Sequence, residues 1–247
     1  MANRRKRVIF CGGALLSFAS ALTALVALGT HFWVEGSLLC RTGVQLVNAS
    51  GAELHKFIGA IRYGIFHGQR LRQCGLGGRS FQITFFPTLL DAIPASLHVM
   101  VLLFSVAIIV FALVATGFFM FNAFGRPYET LHGPMGLYLW NTIACDAWNG
   151  LPATRHQTEC SCGFMVMILF TSEVKVHHLS EKIANYREGS FVFETYTEVF
   201  GYSFWLVFGC SLVHCSNILL IRFIGIQFPF PLSKSTNSSD GGVDLMY

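Results

Sequence analysis

The stretch VIFCGGALLSFASALTALVALGTHFWV, residues 8–34, decides the fold class, because it holds no charged residue across about 27 positions where roughly 20 suffice to span a bilayer core. It follows Arg4, Arg5, Lys6 and Arg7, a basic cluster that marks the cytoplasmic flank of a membrane helix. A secretory signal has the same order of parts, but its apolar region is far shorter, so the segment reads as a retained anchor and not as a cleaved leader. Gly13, Ser17 and Ala21 recur every fourth position and line up on one helix face, where small side chains let another helix approach closely.

The rest of the chain agrees with a membrane reading. Of 247 residues, 53% are hydrophobic and only 12% charged, against roughly 25% charged in an average soluble domain. The mean hydropathy of +0.54 comes from long uncharged runs. The net charge of +4 is concentrated beside the first run, which argues orientation and not nucleic-acid binding.

Spacing of apolar runs divides the chain into a cytoplasmic N-terminus (1–7), span one (8–34) and an outer loop with short strands (35–95). Span two (96–121) and a cytoplasmic loop (122–135) follow. Span three (136–172) is interrupted by residues 145–159, which contain Asp146, Pro152, Arg155 and Glu159. A second outer loop (173–202), span four (203–224) and a cytoplasmic tail (225–247) complete the chain. The fold class expected is an all-α membrane protein, a four-span helix bundle carrying a small extracellular β-rich loop domain. Strand character is expected at 38–47, 62–67 and 81–85 of the first loop, and at 191–196 of the second, whose end joins the same sheet. Leu179, Ile183 and Tyr186 have helical spacing.

Asn48-Ala49-Ser50 is an N-glycosylation acceptor in the loop that the charge rule places outside. Cys40 and Cys74 share that loop, where oxidation favours a bridge over two separate thiols. The other site readings are weaker in chemistry. His156, Cys160 and Cys162 lack the paired cysteine spacing of a structural zinc site, so no metal is expected. His214 lies inside span four, an ionisable position that is a functional candidate by default and equally a neutral interhelical hydrogen bond, the reading preferred. Leu245 and Tyr247 sit at the third-last and last positions, the pattern of a C-terminal PDZ ligand or of an untethered tail. No nucleophile elbow, phosphate loop or pair of membrane carboxylates is present, so neither enzymatic activity nor a cofactor is expected.

Longer segments carry a family likeness. Cys40-Arg41-Thr42-Gly43, Tyr63-Gly64-Ile65-Phe66-His67-Gly68, Arg72-Gln73-Cys74-Gly75-Leu76-Gly77, Glu129-Thr130-Leu131-His132-Gly133-Pro134, His177-His178-Leu179-Ser180-Glu181-Lys182 and the final Leu245-Met246-Tyr247 resemble the clarins. The resemblance implies a four-span glycoprotein distantly similar to claudins, in the plasma membrane of hair cells and photoreceptors and needed for hearing, balance and vision. It implies roles in stereocilia or microvilli, in actin-linked membrane domains and at ribbon synapses, with loss associated with Usher syndrome. Glycosylation at Asn48 carries over with the motif. Lateral membrane partners, a PDZ scaffold and an actin-linked or calcium-channel complex are the partners implied. An auxiliary channel subunit and a claudin-like adhesion protein are the competing readings. A paracellular barrier does not carry over, since Cys40 and Cys74 lie far apart where claudins have a close pair. Residues 145–159 depart from the family pattern and look like extra exon sequence from alternative splicing.

Overall fold

The computed structural model describes residues 2–124 and 161–223. The interruption expected at 145–159, the rest of the loop expected after span two, and Leu245 and Tyr247 lie outside the described residues.

Helix α1 (Ala2–Gly29) is apolar nearly all round after its basic first turns, the pattern of a helix with no aqueous face. It stops at Gly29, well before the uncharged run does, because the backbone that follows is claimed by the sheet: Trp33 N–H donates to Tyr63 O at 3.1 Å. Strand β1 (Val34–Cys40) therefore rises directly from the helix end. Helix α2 (Arg41–Val47), a turn of 3-10 helix (Gly51–Phe57), and strands β2 (Ile58–Tyr63), β3 (His67–Gln73) and β4 (Gly78–Thr84) follow. The long helix α3 (Ala95–Phe124) comes next. Beyond the gap come α4 (Ser161–Lys175), α5 (Leu179–Asn185), β5 (Phe193–Phe200) and α6 (Tyr202–Phe223).

The five strands form one antiparallel sheet in the order β4-β3-β2-β1-β5. The second loop does join the first through β5, which pairs with β1 across a bulge after Ser37. The described chain is thus a mixed helix-and-sheet structure and not all-α. Two strand expectations need correction. Residues 41–47 are helical, with Asn48 closing α2 in the left-handed region (φ 50°), its N–H bonded to Val44 O. Residues 64–66 form the turn between β2 and β3, where Gly64 is required: a Cβ there would meet Thr30 O at 2.1 Å. The expected strands at 81–85 and 191–196 are present with shifted ends.

Helix α1 packs on α3 and α6, and α4 closes the ring between α3 and α6. The small-residue face of α1 points inward. A Cβ on Gly13 would meet the Phe119 ring of α3 at 2.6 Å, while Ser17 and Ala21 are buried. Leu15, Leu22 and Leu25 of α1 and Leu103, Val106, Val110 and Leu113 of α3 remain exposed. Arg7 lies over the Phe124 ring at 6.0 Å, tying the start of α1 to the end of α3. Among the described residues two helices, over Arg7–Gly29 and Ala95–Phe124, are long and apolar enough to cross a membrane. Helix α4 continues to Lys175, past residue 173 where a loop is expected to open, and buries Glu173.

Candidate functional site

The sheet stands on the helix ends, and the joint between them is built from charged and polar side chains. His98, in the first turn of α3, and Glu173, in the last turns of α4, have fully buried side chains (0% exposed each). His98 Nδ1 lies 2.9 Å from Glu173 Oε1, and its Nε2 lies 2.8 Å from Ile65 O in the β2–β3 turn. A carbonyl only accepts, so Nε2 carries a proton and donates to it. The Phe85 ring lies flat on the imidazole, centroids 4.8 Å apart and 5° from parallel. One histidine thereby links both helices to the sheet.

A second chain of hydrogen bonds runs beside it. The Tyr63 hydroxyl meets Ser180 Oγ at 2.9 Å, Ser180 donates to Glu198 Oε1 at 2.8 Å, and Lys175 Nζ donates to Glu198 Oε2 at 2.8 Å. With the serine proton used on Glu198, Tyr63 is the donor to Ser180. Burial pushes the Tyr63 phenol well above its ordinary value of 10.0; the Ser180 bond opposes this and the charges of Glu198 and Glu173 add to it. This line joins β2, α5, β5 and α4.

Farther out, Arg70 of β3 closes the C-terminal end of α5. Its Nη1 donates to Ile183 O at 2.7 Å and Ala184 O at 2.6 Å, and its Nη2 to Tyr186 O and Glu188 Oε1. A cation at that end satisfies orphan carbonyls and suits the helix dipole. Burial lowers the Arg70 pKa, Glu188 opposes that shift, and neighbouring Arg72 reinforces it. Arg72 also binds Glu188, Nη2 to Oε2 at 2.6 Å, with its guanidinium over the Phe81 ring.

Cys40 and Cys74 are bonded, with Cα atoms 5.5 Å apart, which joins the end of β1 to the β3–β4 turn. Asn48 is exposed at the end of α2, on the same outer part of the fold. His214 is buried between α6 and α1, its Nε2 3.4 Å from Ser20 Oγ, while one turn on Asn217 Nδ2 donates to Ser17 Oγ at 2.8 Å. No group of three or more potential metal ligands occurs among the described residues.

Reading the sequence found Asn48, Cys40, Cys74 and His214 but missed His98, Glu173, Tyr63, Ser180 and Arg70. A usable signal existed for two of them. His98 and Glu173 sit at the ends of apolar runs, and an ionisable side chain at such a place calls for a named partner. What the arrangement does is positional: it fixes the sheet relative to the helices.

A family model described as Clarin-2-like matches residues 5–221. Clarin-1 of Homo sapiens is 53% identical over 247 residues, covering the whole of both chains. Clarin-2 of Mus musculus is 38% identical over 242 residues, 98% of each chain. Clarin-3 of Rattus norvegicus is 29% identical over 209 residues, 84% of this chain and 81% of its own. With a match of that length and relatives of that identity, the chain belongs to the clarin family.

Proposed function

We propose that this chain is a non-enzymatic, four-span, claudin-like plasma-membrane glycoprotein that organises membrane domains in sensory cells, with the sheet outside and both termini in the cytoplasm. The observation that carries the membrane part is the division of side chains on α1 and α3. Leucines and valines face outward, whereas Ser17, Ser20 and Ser105 are buried among helices, the reverse of a soluble bundle. Helices α4 and α6 complete the proposed set of spans with residues 136–160. Family membership supports the sensory-cell part, with hair bundle, actin-linked microvilli or stereocilia and ribbon synapse as the membranes organised.

The proposed outer domain is stapled by Cys40–Cys74, carries its sugar on Asn48, and leaves α2 and the β4 edge for partners. His214 serves as an interhelical contact in this reading, and the Leu245 and Tyr247 end is a scaffold ligand. Glycosylation mapping tests the topology. Endoglycosidase should shift the full chain through Asn48, and an acceptor engineered near Arg187 should be modified too, both in this chain and in one lacking residues 145–159. Loss of the second modification only when 145–159 is present would overturn four spans for this form. Adhesion is the second reading, favoured by one observation: among the described residues no strand pairs with the outer edge of β4.

A further inference from the structure

The two edges of the sheet are finished differently. On β5, Asn185 imitates a neighbouring strand: its Nδ2 donates to Phe193 O and its Oδ1 accepts from Phe193 N–H, both at 2.8 Å. Glu181 Oε1 takes the Thr195 N–H at 3.4 Å. The first half of that edge, at Phe193 and Thr195, is thereby capped against strand addition. On β4 no other strand or loop backbone takes the outward groups among the described residues, and Gly78, Arg79, Ser80, Phe81 and Gln82 are all exposed.

The hydrogen-bond phase of β4 is known from its end, where Phe85 N–H donates to Phe66 O across the ladder. Arg79, Phe81 and Ile83 share that phase and turn their backbone groups toward β3. Gly78, Ser80 and Gln82 turn theirs outward, as does Thr84, whose carbonyl already accepts the Thr88 hydroxyl at 2.9 Å.

We propose that β4 pairs antiparallel with β4 of a second copy, about a dyad at Phe81. In that register Ser80 opposes Gln82 of the partner, and Gly78 opposes Thr84, so outward groups meet outward groups on both sides. Arg79 opposes Ile83, and no two like charges face each other. The apolar ends match as well. Leu76, 95% exposed at the tip of the β3–β4 turn, is carried to the other end of the partner's strand, where the Phe66 and Phe86 rings lie 6.1 Å apart. The contact is self-complementary, as an isologous interface must be.

Register also fixes where the second copy comes from. Phe200, Val34, Tyr63, Gly68 and Ile83 form one row across the sheet next to the helix ends. Cys40, Gln73 and Gly78 lie at the far end of their strands. A dyad relating antiparallel neighbours is perpendicular to the sheet, so the partner's helices lie at the opposite end of the paired strands. The two copies therefore belong to membranes that face each other. This rests on the proposed outside placement of the sheet and deepens the adhesion reading.

Two cell populations expressing the full chain with different tags test it. One carries Ser80→Cys and the other Gln82→Cys, a directly opposed pair whose Cα separation of about 5.5 Å suits a disulfide. Mixing the cells under mild oxidant should give dimers carrying both tags. Ser80→Cys against Ser80→Cys should give none, while Phe81→Cys against itself should cross-link, since the dyad brings those Cα atoms to about 4.5 Å. Endoglycosidase sensitivity of Asn48 on surface-labelled protein reports folding and sidedness in the same samples. Sugar present without mixed-tag dimers overturns the edge contact and leaves the topology standing. Dimers within one population only overturn the facing-membrane geometry, and absence of the sugar from surface protein overturns the topology and the contact together.

Discussion

Polar side chains are buried both beneath the sheet and between the helices, and they are satisfied by different means. Under the sheet they meet in chains: His98 with Glu173 and Ile65 O, and Tyr63 with Ser180 and Glu198, a chain that reaches solvent at Lys175. Between α1 and α6 they meet in isolated pairs, Ser17 with Asn217 and Ser20 with His214. At the joint, apolar packing runs from sheet to helices, with Trp33 edge-on to Phe170 at 5.0 Å, and directed hydrogen bonds add the angular constraint that packing alone lacks. The bundle gets its geometry from close approach instead. Gly163 of α4 faces Ser211 of α6 so tightly that a Cβ would fall 1.7 Å from Ser211 Oγ.

If that contrast is right, the largest single effect belongs to the joint. Glu173→Leu leaves the fully buried His98 without its carboxylate partner, and breaking one side of such a buried pair costs about 3–5 kcal/mol. Thermal unfolding in detergent should show it, and adding His98→Phe should recover part of the loss. An additive double variant would mean that the two side chains are not coupled. Next comes Gly163→Ala, where overpacking costs about 1–3 kcal/mol. Ser211→Gly should rescue it by removing the clashing side chain, and a neutral Gly163→Ala would break the claim that backbone proximity sets the bundle.

Tyr63→Phe should cost about 1 kcal/mol, the usual net worth of one hydrogen bond. It should also change the alkaline limb. With the folded pKa raised above 10.0, the Tyr63 contribution is intact below that pH and is lost as pH rises beyond it, so the variant should lose less stability there than the parent. Phenolate absorbance against pH would show one tyrosine ionising after the others. The smallest effect is expected from Ser17→Ala, about 0.6 kcal/mol by the average for interhelical hydrogen bonds in a membrane protein. A loss as large as that of Glu173→Leu would erase the distinction between joint and bundle.

Much of this was legible in the sequence, and the failures have local causes. Thr42-Gly43-Val44 has the look of a strand, yet Arg41 N–H bonds Val192 O and Asn48 closes a helical turn, so tertiary contacts overrode a weak β preference. Tyr63-Gly64-Ile65-Phe66-His67 reads as a continuous strand until Thr30 approaches Gly64, a contact between distant residues that periodicity does not carry. His98 and Glu173 are 75 positions apart and became a pair only when α3 and α4 packed.

The sequence by itself determined the long apolar helices, the small-residue face of α1, the glycosylation acceptor, the two loop cysteines and the clarin likeness. Each of these is local: a run of side chains, a fourfold spacing or a short motif whose chemistry does not depend on what it touches. Only the tertiary structure decided which edge of the sheet is capped, which ionisable groups are buried together, and that β5 closes on β1. These depend on residues far apart in the chain coming within hydrogen-bond distance, and the free energy of such a contact is set by its neighbours and its dryness. Asn185 is an ordinary helix-end residue until Phe193 lies beside it, and β4 is an ordinary strand until its outer side is found bare.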